Sequence, residues 1–210
     1  MRLLILGASG RVGRRVVDEA LHRGHIVTAL LRSPEKLHDV APRVAIIRGD
    51  ALDPGSVAAA VERQEAVIYA IGAGNVRHTT LFSTSTRVLL DAMTAAQVRR
   101  LVCVTGVGAG DSKGHGGFFY DWIIYPLFTK GIYADKDRQE ALITASGTDW
   151  TIVRPAPFSS GGGATPLQAL TRVERETRLR RISIGEVAAF IVGEVEQPRF
   201  VRKAVFIGHP

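Results

Sequence analysis

The sequence predicts an α/β protein built on a doubly wound parallel sheet, and three observations carry that prediction. Short apolar runs alternate with helix-length amphipathic segments along the chain. The apolar runs are continuous rather than alternating, as expected of parallel strands covered by helices on both faces. The first of them, Leu3, Leu4, Ile5 and Leu6, passes directly into Gly7, Gly10 and Gly13 and then into an amphipathic stretch. At 210 residues the chain matches one α/β domain with a well-buried core. Residues 1–210 are therefore read as a single domain, in which 155–210 supply only a small lobe over the sheet.

The elements follow in chain order. Strands are expected at 2–6, 26–31, 44–47, 66–71, 100–105 and 150–154, each a short β-rich apolar run. Helices are expected at 11–23, 54–62, 80–97 and 135–146. Asp53 before Pro54 has the form of an N-cap followed by proline at the first helical position. Ser183 and Glu186 have capping-box spacing and open a helix running to about residue 195. A strand at 204–207 completes the sheet. Gly161, Gly162 and Gly163 form the one low-complexity patch, a loop at the edge where open α/β sheets bind ligands.

The glycine turn carries the first functional signal. Gly7 permits a tight turn off the strand, Gly10 removes the Cβ that would block a pyrophosphate, and Gly13 lets the helix pack closely. Phosphates would then meet free N–H groups at the positive end of the helix dipole, with Ser9, Arg11 and Val12 in the same turn. This context defines a Rossmann-type dinucleotide fold. NAD sites usually place an acid after the second strand, about 20 residues beyond the glycines. Here Leu31 is followed by Arg32 and Ser33, two donors suited to a 2′-phosphate, so NADP(H) is the expected cofactor.

Composition narrows the partners. Hydrophobic residues make up 46% and charged residues 22%, ordinary for a folded globular protein. The apolar runs fall far short of the ~20 residues of a membrane helix, and residues 1–6 do not form a secretory signal. The single cysteine, Cys103, lies in an apolar run and is expected to be an inert core thiol. The lack of an intrachain disulfide suits a reducing cytosol, so a cytoplasmic location is expected. Net charge is +7. Much of the excess lies in Arg172, Arg175, Arg178, Arg180 and Arg181, but Glu174 and Glu176 interleave with them as on a solvated face. Nucleic acid is therefore not the expected partner, and a small-molecule substrate is. Monomer and homodimer are both left open.

The motifs Gly7-x-x-Gly10-x-x-Gly13, Gly49-Asp50, Val104-Thr105-Gly106 and Asp149-Trp-Thr-Ile-Val-Arg-Pro155 stand in family order. Together they resemble the atypical short-chain dehydrogenase/reductases, the NAD(P)H-binding, NmrA-like group that includes the flavin reductase/biliverdin reductase B proteins. The resemblance implies that Asp50, with Ala51, lies at the adenine. It places Ala70, Ile71 and Gly72 along the cofactor ribose, and Pro155 and Thr105 at the inner end of the site.

The superfamily's usual catalytic pair is a Tyr with a Lys four residues on, in which the Lys lowers the phenol's pKa. This chain has Tyr133 and Lys136, a spacing of three, which can still place both on one helix face as a catalytic pair but reads better as a surface pair. Thr105 takes the place of the catalytic Ser, where it could hydrogen-bond a substrate oxygen or cap the strand. Without a dedicated acid, the economical chemistry is hydride transfer to a planar conjugated acceptor such as a flavin or quinone. Phe118, Phe119, Tyr120, Trp122, Tyr125 and Phe128 are concentrated in segment 116–128, and His115 precedes it. These aromatics could stack such a ring, form a buried helix or serve an interface. Two further readings are a non-catalytic NADP(H) sensor and a nucleotide-dependent isomerase or epimerase.

Overall fold

The computed structural model describes residues 1–72, 79–106, 130–161, 165–173, 177 and 179–210. Within them the strands are β1 (Arg2–Leu6), β2 (Ile26–Leu31), β3 (Val44–Arg48), β4 (Ala66–Tyr69), β5 (Arg100–Val104), β6 (Asp149–Pro155), β7 (Phe158–Ser159), β8 (Gln168–Leu170), β9 (Ile182–Ser183) and β10 (Lys203–Gly208). The α-helices are α1 (Arg11–His22), α2 (Pro54–Val61), α3 (Leu81–Ala95), α4 (Lys130–Ala145) and α5 (Ile184–Glu196). Eight strands form one sheet in the order β3-β2-β1-β4-β5-β6-β10-β8. All neighbours are parallel except β8, which runs antiparallel along the edge of β10. This is the doubly wound α/β order, with the chain reversing direction across the sheet between β1 and β4.

The strands are apolar on both faces because both faces are covered. Leu3 and Ile5 point with Val16, Val17, Ala20 and Ile191 toward α1 and α5. Leu4 and Leu6 point the opposite way, into a core with Val57, Phe82, Leu89, Met93 and Ile143 from α2, α3 and α4. Residues 3–6 are at most 1% exposed. A buried Leu or Ile side chain contributes about 1.5–3 kcal/mol, so this strand anchors both layers at once.

Local signals hold where the sequence placed them. Asp53 Oδ2 accepts the Ser56 amide at 2.8 Å, and Ser183 and Glu186 complete a reciprocal capping box. Most boundaries shift by a residue or two, and three shifts fall near the site. β4 stops at Tyr69 rather than residue 71: the Ala70 amide still reaches the Leu6 carbonyl at 2.9 Å, and the Ala70 carbonyl and Ile71 amide then pass close over Gly7. α4 begins at Lys130, ahead of the expected residue 135. Thr105 follows β5 rather than ending it. Strands β7, β8 and β9, of two or three residues each, were not expected.

Polar pins fasten the helices to the sheet. Arg100 on β5 is inside the protein, its Nη2 3.1 Å from Oε1 of Glu194 on α5, a residue that is fully buried. Arg100 also donates to the carbonyl of Asp149 at 2.7 Å and to the Thr151 hydroxyl at 3.0 Å. Glu194 in turn accepts the amides of Arg199 and Phe200, fixing the turn into β10. Removing one member of such a pair strands the other charge in the core. We expect Glu194→Ala to lower unfolding free energy by about 3–5 kcal/mol in a denaturant titration. A loss under about 1 kcal/mol, the range of a surface pair, would contradict this account.

Candidate active site

Ligands of open α/β sheets bind at the carboxyl ends of the strands, where the strand order reverses. Here that crevice lies between β1 and β4, and the glycine turn occupies it. Gly7 has φ +81°, and a Cβ there would sit 2.5 Å from the Ala70 carbonyl oxygen. At Gly13 a Cβ would lie 2.1 Å from the Gly7 carbonyl oxygen. Gly10 is different: its φ is −78° and its Cβ would meet the Gly7 oxygen at 3.1 Å and the Ala70 oxygen at an ordinary 3.9 Å. The fold itself thus demands Gly7 and Gly13, whereas the need at Gly10 comes chiefly from whatever approaches the turn.

Gly10 donates its amide to Gly7, and the first helical bond of α1 runs from the Arg14 amide to the Gly10 carbonyl at 2.8 Å. The amides of Arg11, Val12 and Gly13 precede any intrahelical partner, and no acidic side chain stands in the first turn. Such an end attracts an anion. Ser9 and Arg11 are exposed and Val12 half-buried, with the Arg11 guanidinium 5.9 Å from the Phe158 ring centre.

On the β2 side, Arg32 is exposed and Ser33 half-buried. Asp50 and Ala51 are half-buried after β3, and Asp50 Oδ1 accepts the Leu52 amide at 3.0 Å. On the opposite side, Ala70 is buried, Ile71 half-buried and Gly72 exposed with open space around it. Pro155 is buried at the end of β6, paired in register with Ile207. The expected cofactor residues therefore line one edge of the sheet from β3 to β6.

At the end of β5 the structure assembles a polar cluster. Lys136 Nζ donates to the Thr105 carbonyl and lies 5.1 Å from the Phe82 ring centre. Lys136 is thus turned inward from α4, correcting the surface-pair expectation, and burial draws its pKa below the ordinary lysine range. The Thr105 hydroxyl is 2.7 Å from Glu140 Oε1. Glu140 is held by Arg154 of β6, with Nη2–Oε2 at 2.6 Å and Nε–Oε1 at 3.2 Å. Both of those charged side chains are almost fully buried. Cys103 is fully buried beneath the cluster, and desolvation pushes its thiol pKa well up, as befits a core thiol. Tyr133, one turn before Lys136, is half-buried.

Glu140 and Asp135 were not singled out from the sequence. Glu140 lies one turn beyond Lys136, so the Lys–Glu spacing on one helix face was the available signal. Asp135 is fully buried and accepts the Phe82 amide at 2.8 Å, docking α4 on the start of α3. The aromatic segment 116–128 and His115 lie outside the described residues. So do Gly162, Gly163, Glu174, Arg175, Glu176 and Arg178. Among the described residues there is no cluster suited to a metal ion and no helix long and apolar enough to cross a membrane.

The family described as NAD(P)H-binding matches residues 7–198, and the chain belongs to it. Its relatives include YhfK of Bacillus subtilis, described as an uncharacterized sugar epimerase. That protein is 24% identical, over 97% of this chain and 92% of its own. Among solved structures, ChuY of Escherichia coli O157:H7, described as an anaerobillin reductase, superposes with a TM-score of 0.83 at 23% identity, covering 100% of this chain and 98% of its own. A short-chain dehydrogenase/reductase of Veillonella parvula in complex with NADP gives 0.79 at 18% identity, with 100% and 94% covered. At these identities the structural likenesses establish the Rossmann-type fold. The family establishes NAD(P)H binding.

The glycine geometry separates binding from folding. Gly10→Val is expected to lose at least about tenfold in nucleotide affinity while keeping the native circular dichroism. Gly13→Val is expected to lose folded protein, because its side chain would meet the backbone of the turn. Titration and thermal melts of the two variants check this, and nucleotide affinity unchanged in Gly10→Val would place the phosphates elsewhere.

Proposed function

We propose that the protein is an NADPH-dependent reductase that passes hydride to a planar conjugated acceptor, a flavin, quinone or similar ring. The observation that carries this reading is the position of Lys136. Its ammonium is committed to the Thr105 carbonyl and the Phe82 face, so it does not serve as the free cation that would acidify the Tyr133 phenol. A carbonyl reduction needs a proton delivered as the alkoxide forms, whereas a conjugated ring spreads the incoming charge and takes its proton from water. When bound, the dihydronicotinamide supplies the hydride. The protein's part is to fix its phosphates on α1, present one face near the end of β5 and keep that face dry.

NADP(H) is favoured over NAD(H) because Arg32 is exposed beyond β2 with Ser33 beside it, and no carboxylate follows that strand. ChuY, described as an anaerobillin reductase, and the Veillonella protein, described as bound to NADP, support the same reading by analogy of fold. Binding of NADPH without turnover of any acceptor would favour a sensor, and sugar interconversion would favour the epimerase described for YhfK.

NADPH should bind at least about tenfold more tightly than NADH, or about 1.4 kcal/mol. Arg32→Ala should remove most of that gap, with the loss smaller at high salt. Equal affinities in the wild type would exclude this cofactor assignment. In steady-state NADPH oxidation, Tyr133→Phe should keep quinone or flavin reduction within about threefold of wild type. A required general acid would cost ~10²–10⁴-fold. Collapse of that variant with intact NADPH affinity would return the conventional Tyr mechanism and make carbonyl substrates the better candidates.

A further inference from the structure

A threonine hydroxyl has one hydrogen to give and two lone pairs to receive with. At Thr105 the hydrogen is spoken for. Glu140 Oε1, 2.7 Å away, belongs to a carboxylate clamped by both Nε and Nη2 of Arg154, and a carboxylate so paired has no hydrogen of its own to donate. The hydroxyl must therefore be the donor. The rest of Thr105 is equally committed: its amide donates to Val153 at 3.0 Å and its carbonyl receives Lys136. What remains at Thr105, among the described residues, is the accepting capacity of Oγ1. Thr105 is buried, 8% exposed as a residue, at the carboxyl end of β5 where the sheet edge meets the crevice.

We propose that Glu140 and Arg154 are positioning residues that lock the Thr105 hydroxyl as a hydrogen-bond acceptor, so that the site selects a hydride acceptor carrying an N–H. This rests on the reductase reading above and extends it to the polarity of the substrate. A threonine free to turn would donate to a substrate carbonyl. The locked one cannot, and a carbonyl oxygen placed against it would leave two acceptors facing each other. An N–H placed there completes the oxygen's bonding, and a low-dielectric floor raises the cost of leaving it unmade. The lock is built from three elements, β5, α4 and β6, so the hydroxyl's direction is set by the fold and not by the ligand.

The test compares three acceptors in NADPH-driven reduction: riboflavin, which carries an imide N–H; its N-methylated derivative, which lacks it; and menadione, which offers only carbonyl oxygens. Wild type should prefer riboflavin to the methylated flavin by about tenfold in kcat/KM, the size of one well-made hydrogen bond. Thr105→Val should cost riboflavin about tenfold more than it costs menadione, and Thr105→Ser should restore the wild-type ratio.

Glu140→Gln is the sharpest variant. Its amide oxygen stays on Arg154 Nη2, the shorter contact, and turns its N–H toward Thr105. The hydroxyl hydrogen is then free to point outward, and preference should swing toward menadione. A purely structural Glu140 would lower all three acceptors together. Equal use of the two flavins by wild type, or an unchanged riboflavin-to-menadione ratio in Thr105→Val, overturns the proposal. So does a Thr105→Val that weakens NADPH binding with the ratio unchanged, which would assign the oxygen to the cofactor. If wild type binds NADPH but reduces none of the three, the reductase reading itself fails, and this inference with it. Should Thr105→Val or Glu140→Gln fail to fold, the wild-type flavin pair and Thr105→Ser still decide.

Discussion

The near-contact of three backbone segments, Gly7 after β1, Gly13 in α1 and Ala70 after β4, sets how the sheet, the first helix and the crevice meet. A Cβ at Gly13 would lie 2.1 Å from the Gly7 carbonyl oxygen, and one at Gly7 would lie 2.5 Å from that of Ala70. The helix start is therefore pressed against the strand end, so its free amides open at the reversal of strand order rather than beside it. β4 also ends where it does for this reason, since Ala70 and Ile71 must pass over Gly7. Move any of the three outward by one methyl group and the phosphate cradle, the strand end and the helix axis all shift together.

The parts of this arrangement legible in the sequence are those that local residues decide. Strands buried on both faces show as unbroken apolar runs, so β1, β2, β5 and β6 could be placed within a residue or two. Caps could be placed too, because Asp53 with Ser56 and Ser183 with Glu186 meet across three residues of chain. What could not be seen is what distant contacts decide. β7 and β9 have two residues each and exist only because they pair with one another. The inward turn of Lys136 depends on how α4 docks, through Asp135 on the start of α3, some fifty residues earlier in the chain. At the candidate site the glycines, Arg32, Asp50 and Thr105 were visible as motif positions. Glu140 was not, because its meaning comes from Arg154 on another strand.

Two buried ion pairs, Arg100 with Glu194 and Arg154 with Glu140, join the helices to neighbouring strands from opposite sides of the sheet. Each carries a high desolvation cost, and well-packed apolar side chains often stabilise as much. Their distinctive contribution is direction. Apolar packing tolerates a helix sliding by a fraction of an ångström, whereas a guanidinium fork holding a carboxylate does so in one register. α4 and α5 are thereby fixed relative to β5 and β6, which keeps the inner end of the crevice in one shape.

The antiparallel strand β8 bears on how copies of this protein behave when crowded. A parallel sheet ending at β10 would leave a six-residue rail of unpaired amides and carbonyls, a template on which another chain could add itself. β8 covers that rail at Phe206, Ile207 and Gly208 and reverses the chain direction as it does so. The rail that remains is three residues long, too short to seed an extended ladder. At this side of the sheet the outermost strand is thus a guard against unwanted polymerisation, while the other edge is the five-residue β3.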